Sequence, residues 1–211
     1  MKKKYLLFLC SCSMYAQQVY VESGIVNSEF RFLNSKYERL DHLIDGSNNF
    51  WSLGYRDQFL NKRFKSYAGL RYATYSSIGS IKELNTYLEW KVNYLELQTG
   101  IEFKLLSLPN VFIKNNKEAF FFITGNFSLS HFIQGYQVIN NNVINLNGAN
   151  DFDKQLLKDF RYGIGFENAI SENMSVYLQY VIGSTLRLNN EQNLEIKSKS
   201  FGIGIRLKTT K

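Results

Sequence analysis

Cysteine, histidine and proline are almost missing from this chain. It has two cysteines, Cys10 and Cys12, one proline, Pro109, and two histidines, His42 and His131. Both cysteines fall in a stretch that reads as a secretory leader. Lys2, Lys3 and Lys4 form its positive start, Tyr5 to Cys10 its short apolar run, and Met14-Tyr15-Ala16 its cleavage site before Gln17. The chain therefore divides into a leader, 1–16, and one domain, 17–211. The apolar run falls far short of the ~20 residues a spanning helix needs. Removal of the leader leaves no cysteine, which excludes disulfides and thiolate metal sites from the mature domain. An alternative processing route is that Leu9-Cys10-Ser11-Cys12 resembles a lipoprotein box with Cys12 acylated, although a cysteine at its second position departs from that pattern.

The scarce histidines limit the chemistry. His131 directly follows Ser130, so in a strand the two side chains leave opposite faces and cannot act as nucleophile and base together. His42, in Asp41-His42, has no serine placed to use it. Asp151 and Asp153 could offer oxygens to a divalent cation bridging lipopolysaccharide phosphates, but their spacing lacks a full calcium loop. No catalytic residue, metal site or cofactor is expected. Loss of the three leader lysines lowers the formal charge from +7 to +4. No basic run is interleaved with aromatics, so nucleic acid is not an expected partner.

What the sequence does have is aromatic residues, glycine and alternation. Aromatics are 16% of the chain, and no apolar window after the leader is long enough for a transmembrane helix. Eight segments alternate with period two: 19–32, 50–59, 64–78, 86–106, 119–133, 159–169, 174–187 and 199–208. In the sixth, Phe160, Tyr162, Ile164 and Phe166 alternate with Arg161, Gly163, Gly165 and Glu167. In the seventh, Val176, Leu178, Tyr180 and Ile182 share a face. Ser171-Glu172-Asn173 joins these two segments as a tight hairpin. In the fourth segment Leu95, Leu97, Thr99, Ile101 and Phe103 keep one phase while Leu88, Trp90 and Val92 keep the other, which implies a bulge near Asn93. The first segment changes phase around Val26.

Long connectors on one rim and short ones on the other are the habit of outer-membrane barrels. The longest, 134–158, is rich in Asn and Asp, and the connector containing Pro109 is long for its rim. If the oily faces meet lipid, a narrow lumen receives the glycines together with Glu22, Arg56, Arg71, Glu96, Glu102, Lys104, Arg161, Glu167, Arg187 and Arg206. Mixed signs let these charges pair, which burial requires. Trp51, Tyr55, Phe59, Tyr72, Phe103, Phe121, Phe160, Tyr162, Phe166 and Tyr180 fall on the oily phase, as an aromatic belt would. The expected fold is an all-β, eight-stranded, antiparallel up-and-down transmembrane barrel in the outer membrane. A soluble, exported lipocalin-like barrel with the faces reversed is the alternative.

The segment YLELQTGIEFKLL (94–106), the hairpin FRYGIGFENAISENMSVYLQYVIG (160–183) and the closing SFGIGIRLK (200–208) resemble the PorT-like small outer-membrane β-barrels. Gln98 stands where that family commonly has proline, and the chain continues through Lys208-Thr209-Thr210-Lys211 instead of ending on an aromatic. The last strand, with Ser200, Gly202, Ile205 and Leu207, is similar to the signal read by the barrel assembly machinery. With no catalytic group placed, the expected function is a non-enzymatic outer-membrane scaffold for surface loops or periplasmic contacts, to which the resemblance adds a role in secretion or envelope assembly. Its expected partners are outer-membrane lipid and lipopolysaccharide, the assembly machinery, and a protein of secretion or envelope assembly. A narrow channel or a lipid-modifying outer-membrane enzyme is the alternative class.

Overall fold

The computed structural model describes residues 18–32, 43–58, 62–81, 86–109, 118–148, 156–185 and 194–209. The leader 1–16, His42, Phe59, Asp151, Asp153 and Arg187 lie outside the described residues. Nine strands follow one another: β1 (Gln18–Phe32), β2 (Leu43–Gln58), β3 (Phe64–Ile81), β4 (Thr86–Pro109), β5 (Glu118–Ile139), β6 (Asn142–Asn145), β7 (Leu157–Ala169), β8 (Met174–Thr185) and β9 (Leu194–Lys208). Every strand pairs antiparallel; β6 pairs only with β5, and the other eight form a ring that β1 closes by pairing with β9. Closure removes both sheet edges, so no long row of backbone donors and acceptors faces lipid.

The strands run further than the alternation implied. β2 begins at Leu43, ahead of the segment expected from 50, and β9 begins at Leu194, ahead of the one expected from 199. Pro109 ends β4, paired with Glu118, instead of sitting within a connector. The long connector 134–158 is also partly structured. β5 continues to Ile139, turns through Asn140 and Asn141, and pairs with β6. Asn140 takes φ 53°, a left-handed conformation that asparagine tolerates in a two-residue hairpin. Its side-chain oxygen accepts the Tyr87 N–H at 2.8 Å, tying the hairpin to β4.

The two expected phase slips resolve in one way. β1 pairs with β9 without a break from Gln18 to Phe32, so no slip occurs at Val26. β4 likewise pairs with β3 without a break. The register shift near Asn93 is real, but it lies on the β4–β5 pair, where Ile133 of β5 is the extra residue. β4 keeps its even residues inward from Trp90 to Glu102, including Val92, Tyr94, Glu96 and Gln98, and its own extra residue comes later, at Leu105. What changes along these strands is the chemistry of each face. The inner face passes from charged to apolar, so a hydrophobicity pattern reads as a slip where the backbone has none.

Candidate functional site: the lumen and its mouths

Each strand contributes alternate side chains to the lumen, and the register decides which of them meet. At the end carrying both Gln18 and Lys208, four charges from four strands close on one another. Arg56 Nη1 donates to Glu102 Oε2 at 2.7 Å and to Glu167 Oε2 at 2.8 Å. Arg206 Nη2 donates to Glu102 Oε1 at 2.5 Å, and its Nη1 donates to Glu167. Arg56 also gives its Nε–H to Gln18 Oε1 at 2.7 Å, and Ser175 gives its hydroxyl to Glu167. The Arg206 guanidinium lies 3.8 Å from the Tyr177 ring centroid. All four members are buried. Mutual hydrogen bonding offsets the cost of removing them from water.

Above this quartet is a polar layer. Gln179 donates to Glu22 at 2.7 Å and Tyr177 donates to it at 3.2 Å. Gln98 donates to Ser52 Oγ at 2.7 Å and to Tyr20 Oη at 3.0 Å. Gln98 thus bridges two strands inside the lumen with one amide group. Arg71 stacks 3.8 Å over Phe50 and its Nε approaches Glu96 at 3.7 Å.

A second charge cluster follows. Arg161 donates to Glu96 at 2.7 Å, to Asp159 at 3.0 Å and to the Tyr75 hydroxyl at 3.0 Å, while Tyr75 donates to Glu96 at 2.5 Å. Ser128 and Ser130 both give their hydroxyls to Asp159. Ser130 is thus committed to an internal carboxylate while His131 points outward. Asp159 is the buried charge that sequence reasoning left out. Its signal was its phase, two residues before Arg161 at the start of an alternating segment. Of the ten charges expected in the lumen, Glu22, Arg56, Arg71, Glu96, Glu102, Arg161, Glu167 and Arg206 are buried there. Lys104 is half-buried at the lower mouth, 4.9 Å from the Phe120 ring centroid, and Arg187 lies outside the described residues.

The lumen then becomes apolar. Val26, Phe30, Trp90, Val92, Tyr94, Phe132, Leu157, Leu194 and Ile196 pack together, with Leu146 entering from beyond the β5–β6 hairpin. Voids between these layers are small. One beside Glu22, Tyr67 and Gln98 holds about 20 Å³ and one beside Tyr94 and Asp159 about 10 Å³, room on the order of a single water each. Among the described residues no group of three or more histidines, cysteines or carboxylates is placed to hold a metal ion.

Outside, the faces invert at the same height. On β9, Leu207, Ile205, Ile203 and Phe201 are exposed apolar side chains, and Lys199, Lys197 and Glu195 continue the same face. On β1, Val21 and Ile25 give way to Asn27, Glu29 and Arg31; on β4, Leu97 and Leu95 give way to Asn93, Lys91 and Glu89. Trp51, Tyr55, Tyr72, Phe121, Phe160, Tyr162 and Tyr180 are exposed within this oily band, whereas Phe103 and Phe166 are only half-exposed. A continuous apolar belt of this kind, bounded by charge, matches a bilayer and would be unstable in water.

No protein-family model matches the chain, and no curated protein matches it in sequence. Among solved structures, Neisserial surface protein A (NspA) is similar over 90% of this chain and 97% of its own, at 12% identity and a TM-score of 0.49. The outer membrane protein OprG of Pseudomonas aeruginosa is similar over 93% and 98%, at 9% identity and a TM-score of 0.49. Ail, the attachment invasion locus protein of Yersinia pestis, is similar over 91% and 99%, at 11% identity and a TM-score of 0.39. Strand pairing and side-chain placement carry the assignment without them: the chain is an all-β protein, an antiparallel eight-stranded barrel with an oily belt outside and ion pairs within.

Proposed function

We propose that this protein is a non-enzymatic outer-membrane scaffold whose barrel is sealed and whose contacts are made at its two ends. The observation that carries this reading is the filled lumen. The Arg56–Glu102–Arg206–Glu167 quartet, the Glu22 layer and the Arg161–Glu96–Asp159 cluster occupy successive levels. An eight-stranded barrel has space for side chains but little beyond them. The short turns of such barrels face the periplasm and their longer loops face outward, which puts turn 170–173 and both strand termini on the periplasmic side. The likeness of 94–106, 160–183 and 200–208 to PorT-like barrels supports a role beside secretion or envelope-assembly machinery. The exposed Ile205 and Leu207 of β9 support insertion by the barrel assembly machinery.

The test is reconstitution into planar bilayers with lipopolysaccharide in the outer leaflet, followed by conductance recording and mass analysis of the lipids. A scaffold gives neither steady current nor modified lipid. Stable currents of porin size would make it a channel, and a new lipid species would make it an enzyme.

A further inference from the structure

The lower mouth of the lumen is not sealed flush. Between the charge quartet and turn 170–173 lies an open pocket of about 330 Å³. Its charged lining is Lys65, Lys104, Arg206 and Lys208 against Glu167 and Glu172. Glu167 is held by Arg56 and Arg206 in the quartet, whose four charges cancel. Among the described residues the lysines therefore leave the mouth with a net positive charge. Lys65 and Lys104, from adjacent strands β3 and β4, each place Nζ 4.9 Å from the ring centroid of Phe120 on β5. One aromatic ring thus gathers two ammonium groups at the pocket's wall. The turn between β2 and β3 adds Lys62 and Arg63 to the same rim.

We propose that this mouth is a docking site for an acidic peptide segment of a periplasmic protein. This deepens the scaffold reading and rests on its sidedness. The chemistry follows from the lining. Two ammonium groups supported by one ring can receive two carboxylates along an extended chain, while Phe120 and Met174 offer apolar contact to the stem between them. Lys65, Lys104 and Phe120 belong to the inward phase of their strands, so the pocket opens along the barrel axis and away from the bilayer. That direction favours a soluble segment over a lipid headgroup. Desolvation by the barrel wall strengthens such pairs relative to rim charges in open water.

The experiment uses the whole barrel in zwitterionic nanodiscs, which leave both mouths accessible, and a fluorescent peptide with four consecutive glutamates read by anisotropy. The wild type should bind it, with affinity falling as salt rises. Lys65→Gln with Lys104→Gln should weaken binding at least tenfold. Lys197→Gln with Lys199→Gln, which removes the same charge from the opposite end, should leave it unchanged. Heat-modifiable gel mobility checks that each variant is folded. A wild type that ignores the peptide, or an inner-mouth double variant that binds it normally, would overturn the proposal. So would equal competition by inorganic phosphate, or preference for phosphatidylglycerol nanodiscs over the peptide, since either would mark a general anion or headgroup site. Should the inner-mouth variant be unfolded, Lys65→Gln alone supplies the same comparison. A conductive lumen would defeat the scaffold reading without altering peptide binding, so the two failures remain distinct.

Discussion

The membrane-level half of this barrel and the half above it are built from the same strands with opposite faces. In the first, Ile203 and Ile205 face out while Gly204 and Arg206 face in. In the second, on the same β9, Lys197 and Lys199 face out while Ile196 and Leu194 face in. Between β1 and β9 the backbone does not mark the boundary, because their register is continuous across it. The difference teaches that the surroundings of the outer face set the pattern. Where lipid surrounds the wall, oil belongs outside and the narrow interior must hold paired polar groups. Where water surrounds it, the interior becomes an ordinary hydrophobic core. The soluble-barrel alternative thus describes the upper half locally while failing for the lower one.

The comparison is most strongly tested inside the wall. Glu167→Gln keeps the shape of the side chain but leaves Arg56 and Arg206 sharing one carboxylate, and should cost ~3–5 kcal/mol in a reversible urea refolding assay in lipid vesicles. In the upper half, Phe132→Ala opens a cavity in the apolar cluster and should cost about 3–5 kcal/mol by the same measurement. The two variants should differ in kind. Loss of Phe132 should expose upper-strand sites to added protease while the lipid-embedded half stays protected, whereas loss of Glu167 should not raise cleavage at the upper end.

Outward positions sharpen the boundary. Ile203→Arg should cost about 2–4 kcal/mol if it lies near the midplane, while Lys199→Ile, four residues away on the same face, should stay within ~0.5 kcal/mol. A harmless Ile203→Arg in vesicle refolding would reverse the assigned faces. An effect between these two is expected at Gly204. A β-carbon there would lie 2.4 Å from Tyr177 ring atoms, so Gly204→Ala must displace the ring that Arg206 covers, at ~1–3 kcal/mol. A deletion that tests surface contacts of the connector 134–158 needs narrow bounds. Shortening 137–157 would also remove Leu146 and Leu157 from the upper core, so only 149–155 can be cut as a test of surface contacts.

Sequence alone determined that the chain forms strands, that eight of them alternate strongly and, away from the phase changes it read in β1 and β4, which residues within a strand share a face. These properties follow from a period of two and need no partner. The β7–β8 hairpin was legible for the same reason, since Ser171, Glu172 and Asn173 join neighbours in the chain. The tertiary structure decided everything that depends on register around the closed ring. Arg56 meets Glu167 across 111 positions of sequence, and Arg161 takes Asp159 and Glu96 together. Alternation places a charge on the inner face but says nothing about its height. The short β6 hairpin, the bulge residue Ile133 and the extension of β2 and β9 also required the fold, because polar outward faces above the membrane do not look like membrane strands. Height along the axis is set by how each strand staggers against the next, and that stagger exists only once the eighth strand has paired with the first.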